Sequence, residues 1–367
     1  MPAEWAPHEA TWLSWPYNLE TWEGHLEGAE EAFAAFIEIL SSGEIVHLLV
    51  PNNEVEERAR KKLASRKIPK GALQLHRIET GDVWFRDFGP LFISREENQG
   101  FSSREPTFSQ EVRSASGPTR PDASRSDRKN RKSNVAWVRF RYNALGNKYD
   151  DLLVGDTVPD KMPLKGFPRF DAGIVLEGGS IDVNGSGSLL TTESCLLNPN
   201  RNPSLTKAKI EQTLKDFLGI TNVLWLKAGI AGDDTDGHVD DVTRFVDAST
   251  VLTVLEEDPH DENFSVLQEN FERLKTMQNE QGNNLHIVTL PMPRPLIVDD
   301  RRMAASYANF YIANAGVIVP LYKQPSDELA LDTFRKVFPK RKIVGIDCTE
   351  LIVGYGSLHC ISQQQPQ

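Results

Sequence analysis

One pattern recurs along the chain: an amphipathic helix, a short apolar strand, and a polar loop rich in glycine. The strands are predicted to end near five positions, Ile78, Leu176, Leu226, Leu290 and Asp347. The strand in GIVLEGG has no clear helix before it. The interval from Ile78 to Leu176 contains an insertion. Without this insertion, successive strand ends are about 50 to 65 residues apart. This repeat predicts an α/β fold of five similar units in a closed, roughly fivefold array, with the loops gathered at one end.

Residues 98–134 differ from the rest of the chain in composition. They are rich in serine, arginine and proline, and they carry eight lysines or arginines against four acidic residues. They show no apolar period, so we expect a disordered basic insertion within a single catalytic domain that spans residues 1–367. A solvated loop is the simpler role, although a basic tract can also dock on nucleic acid or on an acidic surface.

The overall composition narrows the class of protein. The net charge of −11 argues against nucleic acid as the main partner and allows a cationic substrate. No stretch is long and apolar enough to span a membrane, and residues 1–10 lack the apolar core of a secretory signal. Cys195, Cys348 and Cys360 form no C-x-x-C pair, so neither a disulfide framework nor a zinc ribbon is expected. We predict a cytoplasmic protein with reduced thiols, and a homo-oligomer remains open.

The loops after the predicted strands carry side chains suited to catalysis. These are Trp84, Arg86, Asp87, Glu177, Asp233, Asp234, Asp236, His238, Asp240, Asp241, His359 and Cys360. A thiol, an imidazole and carboxylates are what nucleophilic attack on a cationic electrophile requires. The thiolate attacks, the imidazole moves protons, and the carboxylates hold the positive charge. If residues 234–240 were extended, Asp234, Asp236, His238 and Asp240 would share one face.

Several of these residues also have a simpler interpretation. A buried cysteine is usually a small apolar side chain, and we interpret Cys195 and Cys348 in this way. In an extended segment His359 points away from Cys360, so we interpret His359 as structural. Trp84 either fills the core or covers a guanidinium through a cation–π contact.

The acidic run GDDTDGHVDD also raises the question of a metal. It does not match an EF-hand loop, because Gly232 would occupy the first ligand position and Thr243 the twelfth. His238, Asp240 and Cys360 could bind zinc, but the H-x-D spacing is a weak signal and no second histidine lies close in sequence. We therefore favour a thiol mechanism and keep the metal as an alternative.

Five ordered blocks of sequence carry a family resemblance. They are ETGDVWFRDFGP, LEGGSIDVNGSG, GDDTDGHVDDVTRFVD, YANFYIANAGVIVP and GSLHCISQQQP. Together with the opening MPAEWAPHEATWLSWP, they resemble the agmatine deiminase family, which also holds bacterial peptidyl-arginine deiminases. The resemblance covers nearly the whole chain except residues 98–134. It implies the pentein fold, a five-bladed pseudo-fivefold α/β propeller, and an enzyme with no metal and no cofactor.

The resemblance also implies roles for particular positions. Cys360 is similar to the family's nucleophile, and His238 is similar to the acid that protonates the leaving ammonia and then activates water. Asp87 and Asp240 match the pair that holds the guanidinium nitrogens. The positions implied to bind substrate are Trp84 in the channel, Asp234 at the distal amine, Glu177 and Asn309. A structural role fits Glu177 equally well.

These roles imply a guanidine iminohydrolase, and agmatine deiminase is the first choice. Such an enzyme forms N-carbamoylputrescine and ammonia through a covalent cysteine intermediate, in putrescine and polyamine biosynthesis. The chain departs from the family at Tyr355, where three glycines are frequent, and at Asp234, where Glu is common. Both departures concern the far end of the substrate. The alternatives are a peptidyl-arginine or free-arginine deiminase, a metal-dependent hydrolase and a non-catalytic binding protein.

Overall fold

The structure is a computed structural model that describes residues 1–95 and 134–367. The insertion predicted at 98–134 lies outside the described residues, apart from Asn134. Within the described ranges, the helices are all too short or too polar to cross a membrane.

Strands and helices are mixed along the whole of the described chain. The strands are β1 (His8–Ser14), β2 (Ile45–Val50), β3 (Leu73–Arg77), β4 (Leu91–Ser94), β5 (Val135–Arg141), β6 (Arg169–Val175), β7 (Ile181–Val183), β8 (Ser188–Thr192), β9 (Asn222–Leu226), β10 (Thr243–Phe245), β11 (Thr250–Leu255), β12 (His286–Pro291), β13 (Ile297–Val298), β14 (Arg301–Arg302), β15 (Tyr311–Ala313), β16 (Gly316–Leu321), β17 (Ile343–Asp347) and β18 (Ser362–Pro366). The α-helices are α1 (Leu26–Leu40), α2 (Asn53–Leu63), α3 (Phe85–Phe88), α4 (Ala144–Asn147), α5 (Val158–Lys161), α6 (Glu193–Leu196), α7 (Lys207–Leu218), α8 (Phe264–Thr276) and α9 (Ser326–Val337). Short 3-10 helices cover Asp150–Thr157, Gly178–Ser180, Val239–Asp241 and Leu351–Gly354.

Helices α2 and α7 form where the sequence has an apolar period and a capping side chain. In α2, Val55, Ala59 and Leu63 recur every four residues and are buried. Asn52 caps this helix by accepting a hydrogen bond from the Val55 backbone N–H at 3.0 Å. Helix α7 ends at Gly219, whose φ of 69° lies in the left-handed region that favours glycine.

The strands form small sheets that share one pairing pattern. The three-stranded sheets are β4-β5-β6, β7-β8-β9, β10-β11-β12 and β15-β16-β17, and β13-β14 is a separate hairpin. In each three-stranded sheet the first pair is antiparallel and the second pair is parallel. Parallel neighbours need a crossover, which explains the helix or turns between the second and third strands. The α/β class predicted from the sequence is confirmed.

A further sheet, β18-β1-β2-β3, joins the two ends of the described chain. Strand β18 runs antiparallel to β1, with Gln363 opposite Trp12. All five residues of β18 are buried, although three of them are glutamines. Their side chains have partners, since Trp12 Nε1 donates to Gln365 Oε1 at 2.9 Å and Arg86 Nη1 donates to Gln364 Oε1 at 2.8 Å. These bonds offset the cost of burying polar groups in a strand.

The predicted strand ends are confirmed to within one residue. The strands end at Arg77, Val175, Leu226, Pro291 and Asp347. Strand β6, which lacks a helix pattern before it, follows the 3-10 helix Asp150–Thr157 and the short α5 instead. Each of these strands is the parallel edge of its sheet, so the loops that leave its carboxyl end carry most of the candidate site.

Candidate active site

Cys360 lies in a turn between the 3-10 helix Leu351–Gly354 and strand β18, and its side chain is 4 % exposed. Its carbonyl accepts a hydrogen bond from the Arg86 backbone N–H at 3.1 Å, and its own N–H donates to Asn309 Oδ1 at 3.3 Å. The Asn309 amide nitrogen donates to the sulfur at 3.0 Å. Backbone and side-chain bonds therefore fix the position of the thiol.

Asn309 lies behind the thiol and is fully buried. Its Nδ2 also donates to Asp241 Oδ1 at 2.9 Å, and its Oδ1 also accepts from the His359 N–H at 2.9 Å. The amide thus uses both donors and its acceptor inside the protein. This arrangement favours a role in holding Cys360 over the predicted contact with substrate.

Asp240 places a carboxylate beside the thiol. Its Oδ2 lies 3.6 Å from Cys360 Sγ and 2.7 Å from His359 Nδ1. Its Oδ1 has no hydrogen-bond partner among the described residues, although the side chain is fully buried. Burial alone would raise the pKa of Asp240, but His359, His238 and Arg244 outweigh burial and hold this pKa below its usual value. The site therefore holds an ionised carboxylate with one oxygen left to bind.

His238 precedes Asp240 by two residues and is fully buried as well. Within the described ranges neither ring nitrogen has a hydrogen-bond partner, and Asp87 Oδ1 lies 3.6 Å from Nδ1. Burial alone would lower the pKa of this imidazole. Asp87, Cys195 and Asp240 have the opposite effect and outweigh burial, so the pKa of His238 lies well above its usual value. A protonated imidazole with unmatched N–H groups is suited to donating a proton to a bound molecule.

Three of the predicted catalytic side chains converge beside Gly179. A Cβ atom on this residue would lie 2.6 Å from His238 Nδ1, 2.9 Å from Asp87 Oδ1 and 3.0 Å from Asp240 Oδ2. The Gly179 N–H donates to Asp87 Oδ1 at 3.0 Å. Because any side chain at this position would fill the space between the three polar atoms, glycine is required for them to face one point.

Burial shapes the charge of the remaining two groups. Burial first, and then the carboxylates of Asp240 and Glu177, raise the pKa of Asp87 to about 7 despite the nearby His238. Burial and the carboxylates of Asp240, Asp241 and Asp87 raise the pKa of Cys360 well above its usual value. The free protein therefore keeps Cys360 as a neutral thiol at neutral pH.

A cavity of about 270 Å³ opens onto Cys360. The described part of its wall carries the carboxylates of Glu20, Asp82, Asp87, Asp151 and Asp234, and the guanidinium of Arg301. Of the eight side chains to which the resemblance assigns a catalytic or substrate-binding role, Cys360, Asp87, Trp84 and Asp234 line the cavity. The other four, His238, Asp240, Glu177 and Asn309, are fully buried behind the wall. An acidic cavity of this kind suits a cationic ligand.

Trp84 forms part of the wall nearest the thiol. Its ring lies 5.9 Å from that of Trp22, and a Cβ atom on Gly356 would collide with it. The same Cβ atom would lie 3.0 Å from the Cys360 Cβ. Trp84, Gly356 and Cys360 therefore form one tight layer, in which a second side chain at residue 356 has no room.

The two departures from the family pattern both line the cavity. The Tyr149 hydroxyl donates to Asp234 Oδ2 at 2.6 Å, and burial raises the pKa of Asp234. The Arg301 guanidinium donates to the Tyr355 hydroxyl and lies 5.3 Å from its ring. Tyr355 has a φ of 75°, a left-handed conformation that explains why glycine would be the more usual residue.

The expectation that residues 234–240 form one extended face is wrong. Asp236 has a φ of 69°, so the chain turns sharply at this residue. Its carboxylate accepts hydrogen bonds from Arg201 Nη1 at 2.6 Å and from Lys148 Nζ at 2.8 Å, outside the cavity wall. Asp234 and His238 therefore reach the site from opposite sides of a turn rather than along one strand.

Glu177 is held by an arginine. Arg201 Nε lies 3.0 and 2.9 Å from its two carboxylate oxygens, and both side chains are fully buried. This pairing favours the structural interpretation of Glu177. Cys195 lies in the same region, with its sulfur, a Glu177 oxygen and a His238 nitrogen within 4.8 Å of one another. The thiol interpreted as a packing residue is thus a neighbour of the imidazole.

Two groups of side chains have metal-ligand atoms close together within the described ranges. They are Glu177, Cys195 and His238, and Asp240, Asp241 and Cys360. Neither group is the zinc set considered from the sequence, because His238 falls in one group while Asp240 and Cys360 fall in the other.

Some residues of the site were not assigned a role from the sequence. They are Glu4, Asp82, Cys195, Arg201 and Asp241. Three of them lie in blocks that carried the family resemblance: Glu4 in the opening block, Asp82 in ETGDVWFRDFGP and Asp241 in GDDTDGHVDDVTRFVD. The others had no signal, because their partners are distant in sequence.

The fold and the site define an α/β protein whose buried thiol and imidazole lie among carboxylates. The model of the Porphyromonas-type peptidyl-arginine deiminase family matches residues 1–366. An agmatine deiminase from Ectopseudomonas mendocina is 33 % identical, with 100 % of this chain and 95 % of that protein covered. One from Pseudomonas aeruginosa is 32 % identical at the same coverage. The solved agmatine deiminase of Enterococcus faecalis, 29 % identical, matches with a TM-score of 0.84 over 100 % of this chain and 95 % of that one.

The chain therefore belongs to the Porphyromonas-type peptidyl-arginine deiminase family.

Proposed function

We propose that the protein is an agmatine deiminase, which hydrolyses the guanidinium of agmatine to N-carbamoylputrescine and ammonia in putrescine and polyamine biosynthesis. Its family and its relatives are hydrolases of C–N bonds. One observation carries the proposal: the buried ring nitrogens of His238 and the buried Asp240 Oδ1 have no hydrogen-bond partners of suitable geometry among the described residues, and Asp240 Oδ2 lies 3.6 Å from Cys360 Sγ. Buried polar groups without partners are rare in proteins and mark places where a ligand completes the hydrogen bonding.

Binding is the first step. A guanidinium is planar and carries N–H donors on every side, so it can satisfy the carboxylates of Asp87 and Asp240 together. Agmatine also carries a second cation at its far end, and the acidic wall that includes Asp234 offers carboxylates for it. The bound guanidinium offsets the negative charges that keep Cys360 protonated, so the thiol releases its proton to solvent as the substrate binds. This proton and the ammonia released later together make up one ammonium ion.

Attack and release of ammonia follow. The Cys360 thiolate forms a bond to the guanidinium carbon, and the electron pair of the C=N bond moves to nitrogen. His238 gives its proton to the departing nitrogen, the C–N bond breaks, and ammonia leaves. The product of this half-reaction is a cationic amidino-thioester on Cys360, which the carboxylates of Asp87 and Asp240 continue to stabilise.

Water completes the cycle. His238, now neutral, takes a proton from a water molecule as its oxygen bonds to the same carbon. The C–S bond then breaks, the carbonyl of the ureido product forms, and the sulfur recovers the hydroxyl proton. One water is consumed and one ammonia is released, so the cycle needs no metal and no redox partner.

We also propose that the five sheets are the blades of a pseudo-fivefold propeller around this site. Their shared antiparallel–parallel pairing and the sheet that joins both chain ends support this arrangement. It would explain why loops that are distant in sequence meet at one cavity. The cytoplasmic location and a homo-oligomeric state stay predictions.

A peptidyl-arginine or free-arginine deiminase is the second candidate. Arg301 in the cavity wall favours it, because a guanidinium suits a carboxylate or a peptide carbonyl better than the amine of agmatine. The hydroxyl of Tyr355 is a hydrogen-bond partner of Arg301. Because the Tyr355 hydroxyl is neutral, this hydrogen bond does not neutralise the positive charge of Arg301.

Ammonia release from agmatine, free arginine and a blocked arginine peptide, measured side by side, tests the proposal. We expect turnover of agmatine, and its loss in Cys360→Ser. Cys348→Ser is the matched control, because Cys348 is also buried but lies outside the cavity wall. Turnover of the peptide or of arginine alone would favour the second candidate. Full activity of Cys360→Ser would rule out the thiol mechanism.

A further inference from the structure

Glu4, in the segment before β1, is a buried carboxylate that joins several parts of the fold. Its Oε2 lies 2.9 Å from His359 Nε2, 3.0 Å from Arg244 Nη2 and 3.5 Å from Arg86 Nη2. Its Oε1 accepts a hydrogen bond from the Ile312 backbone N–H at 2.7 Å. These contacts span positions from the start of the chain to its last turn, and none of the residues lines the cavity.

His359 links this carboxylate to the reaction centre. One ring nitrogen, Nε2, faces Glu4, and the other, Nδ1, lies 2.7 Å from Asp240 Oδ2. An ionised carboxylate only accepts hydrogen bonds, so an imidazole that bonds to one carboxylate and lies at ion-pair distance from a second can donate to both only if each ring nitrogen carries a proton. Neither neutral tautomer can do so. A ring in this position therefore serves both Glu4 and Asp240 only with a proton on each nitrogen.

Two arginines also contact Glu4 and His359. Arg86 Nε donates to the His359 carbonyl at 3.3 Å, and Arg244 pairs with Asp182 as well as with Glu4. Burial alone would raise the pKa of Glu4, but Arg244, His359 and Arg86 outweigh burial and hold this pKa below its usual value. Because Glu4 is charged, it stabilises the proton on His359 Nε2, and this proton in turn keeps His359 a double donor toward Asp240.

We propose that Glu4 and His359 are positioning residues for the reaction. They hold Asp240 ionised through Oδ2 and leave its Oδ1 free for the guanidinium, so the N-terminal segment contributes to catalysis from behind the cavity. This inference rests on the proposed function of Asp240. It differs from a purely structural role for His359, in which loss of the ring would change stability and leave the chemistry of the folded protein unaltered.

The test compares three variants of the full chain. Glu4→Gln and His359→Gln each interrupt the link from Glu4 through His359 to Asp240. Asp182→Asn removes a buried carboxylate from Arg244, which also pairs with Glu4, and leaves His359 unchanged. For the first two we expect kcat/KM for agmatine to fall on the order of 10- to 100-fold in protein that is folded by circular dichroism. We also expect the acid limb of the kcat/KM profile to move to higher pH, because Asp240 loses its donor. Asp182→Asn should lower the melting temperature and leave the acid limb in place.

A second measurement is independent of turnover. Alkylation of Cys360 by iodoacetamide is followed against pH in His359→Gln and in Asp182→Asn. Loss of the cationic ring should move the alkylation midpoint of His359→Gln to higher pH, and Asp182→Asn should keep the wild-type midpoint. This readout separates the two proposals: a wild-type protein that does not turn over agmatine defeats the proposed function, while the alkylation profiles still test the link.

Three results would overturn the inference. One is wild-type kcat/KM and an unchanged acid limb in folded Glu4→Gln and His359→Gln. Another is an unshifted alkylation midpoint in His359→Gln. The third is failure of both variants to fold while Asp182→Asn folds, since Glu4 and His359 would then serve stability.

Discussion

The side-chain nitrogen of Asn309 lies 3.0 Å from the sulfur of Cys360, and the oxygen of the same amide accepts the backbone N–H groups of His359 and Cys360. One side chain thus orients the Cys360 thiol and the turn that carries it. Burial and carboxylates raise the pKa of Cys360, and this hydrogen bond is the contact that counteracts them.

Replacing Asn309 should therefore destabilise the thiolate form of Cys360. In Asn309→Ala the sulfur loses its donor and two backbone N–H groups lose their acceptor, so the pKa of Cys360 rises further. We expect kcat to fall ~100-fold, with a smaller change in KM. Stopped-flow alkylation of Cys360 at several pH values measures the effect directly. An alkylation profile equal to that of the wild type would contradict this assignment.

A bound cation should make Cys360 more reactive. The carboxylates of Asp240, Asp241 and Asp87 hold the thiol protonated, and a guanidinium ligand that cannot react would offset them. The apparent pKa for alkylation should fall when such a ligand is present at concentrations too low to block iodoacetamide. The control is Cys360→Ser, which reports labelling at other thiols. A midpoint that does not depend on the ligand would defeat the idea.

Cys195 should influence the proton held by His238. Burial lowers the pKa of this imidazole, whereas Asp87 and then Cys195 raise it. Cys195→Val removes the polar sulfur, so the pKa of His238 falls and the basic limb of the kcat profile moves to lower pH. Cys195→Ser keeps a hydrogen-bonding group and should lie closer to the wild type. Equal basic limbs in all three proteins would show that the thiol only packs.

The basic insertion should be dispensable for turnover. Strands β4 and β5 are antiparallel with Ser94 opposite Val135, and the Arg95 N–H donates to the Asn134 carbonyl at 2.9 Å. Replacing residues 96–133 by Asn-Gly gives a two-residue hairpin turn between these two ends. We expect unchanged kcat/KM for agmatine. A shortened protein that folds with a wild-type melting temperature but has lost turnover would contradict this prediction.

Stability should fall in mild acid because of a histidine pair. His47 Nδ1 lies 2.8 Å from His76 Nε2, and both rings stack near Trp12. Burial, with a smaller contribution from His76, lowers the pKa of His47 from 6.5 to about 4. The folded state therefore binds fewer protons than the unfolded chain between these pH values. This contribution to stability is complete above pH 6.5 and is lost as the pH falls toward 4.

Urea unfolding at pH 7.5 and pH 5 measures the effect. We expect His47→Gln to reduce the difference in unfolding free energy between the two pH values by on the order of 1–2 kcal/mol, after allowing for the partial exposure of the ring. The exposed His260→Gln is the control. The same pH dependence in His47→Gln and wild type would show that another group is responsible.

Local sequence determined much of the architecture. The recurring helix–strand–loop pattern predicted the α/β class, and each predicted strand end is correct to within one residue. This success has a physical reason, because helix and strand periods depend on residues that are near one another in the chain. The family resemblance of the loop blocks also implied that Cys360, Asp87 and Trp84 act on the substrate, and all three line the cavity.

What the tertiary structure alone decided are the partners of these side chains. Asp234, Asp236 and His238 looked equivalent in the sequence, but the left-handed turn at Asp236 sends its carboxylate to Arg201. Glu4 and His359 are 355 residues apart and meet at 2.9 Å, and this separation leaves no trace in a local pattern. A buried charge is tolerated only with a partner, and the fold selects that partner from anywhere in the chain. The sequence by itself could name the candidate site residues, whereas the protonation and orientation of their side chains depend on neighbours that only folding brings together.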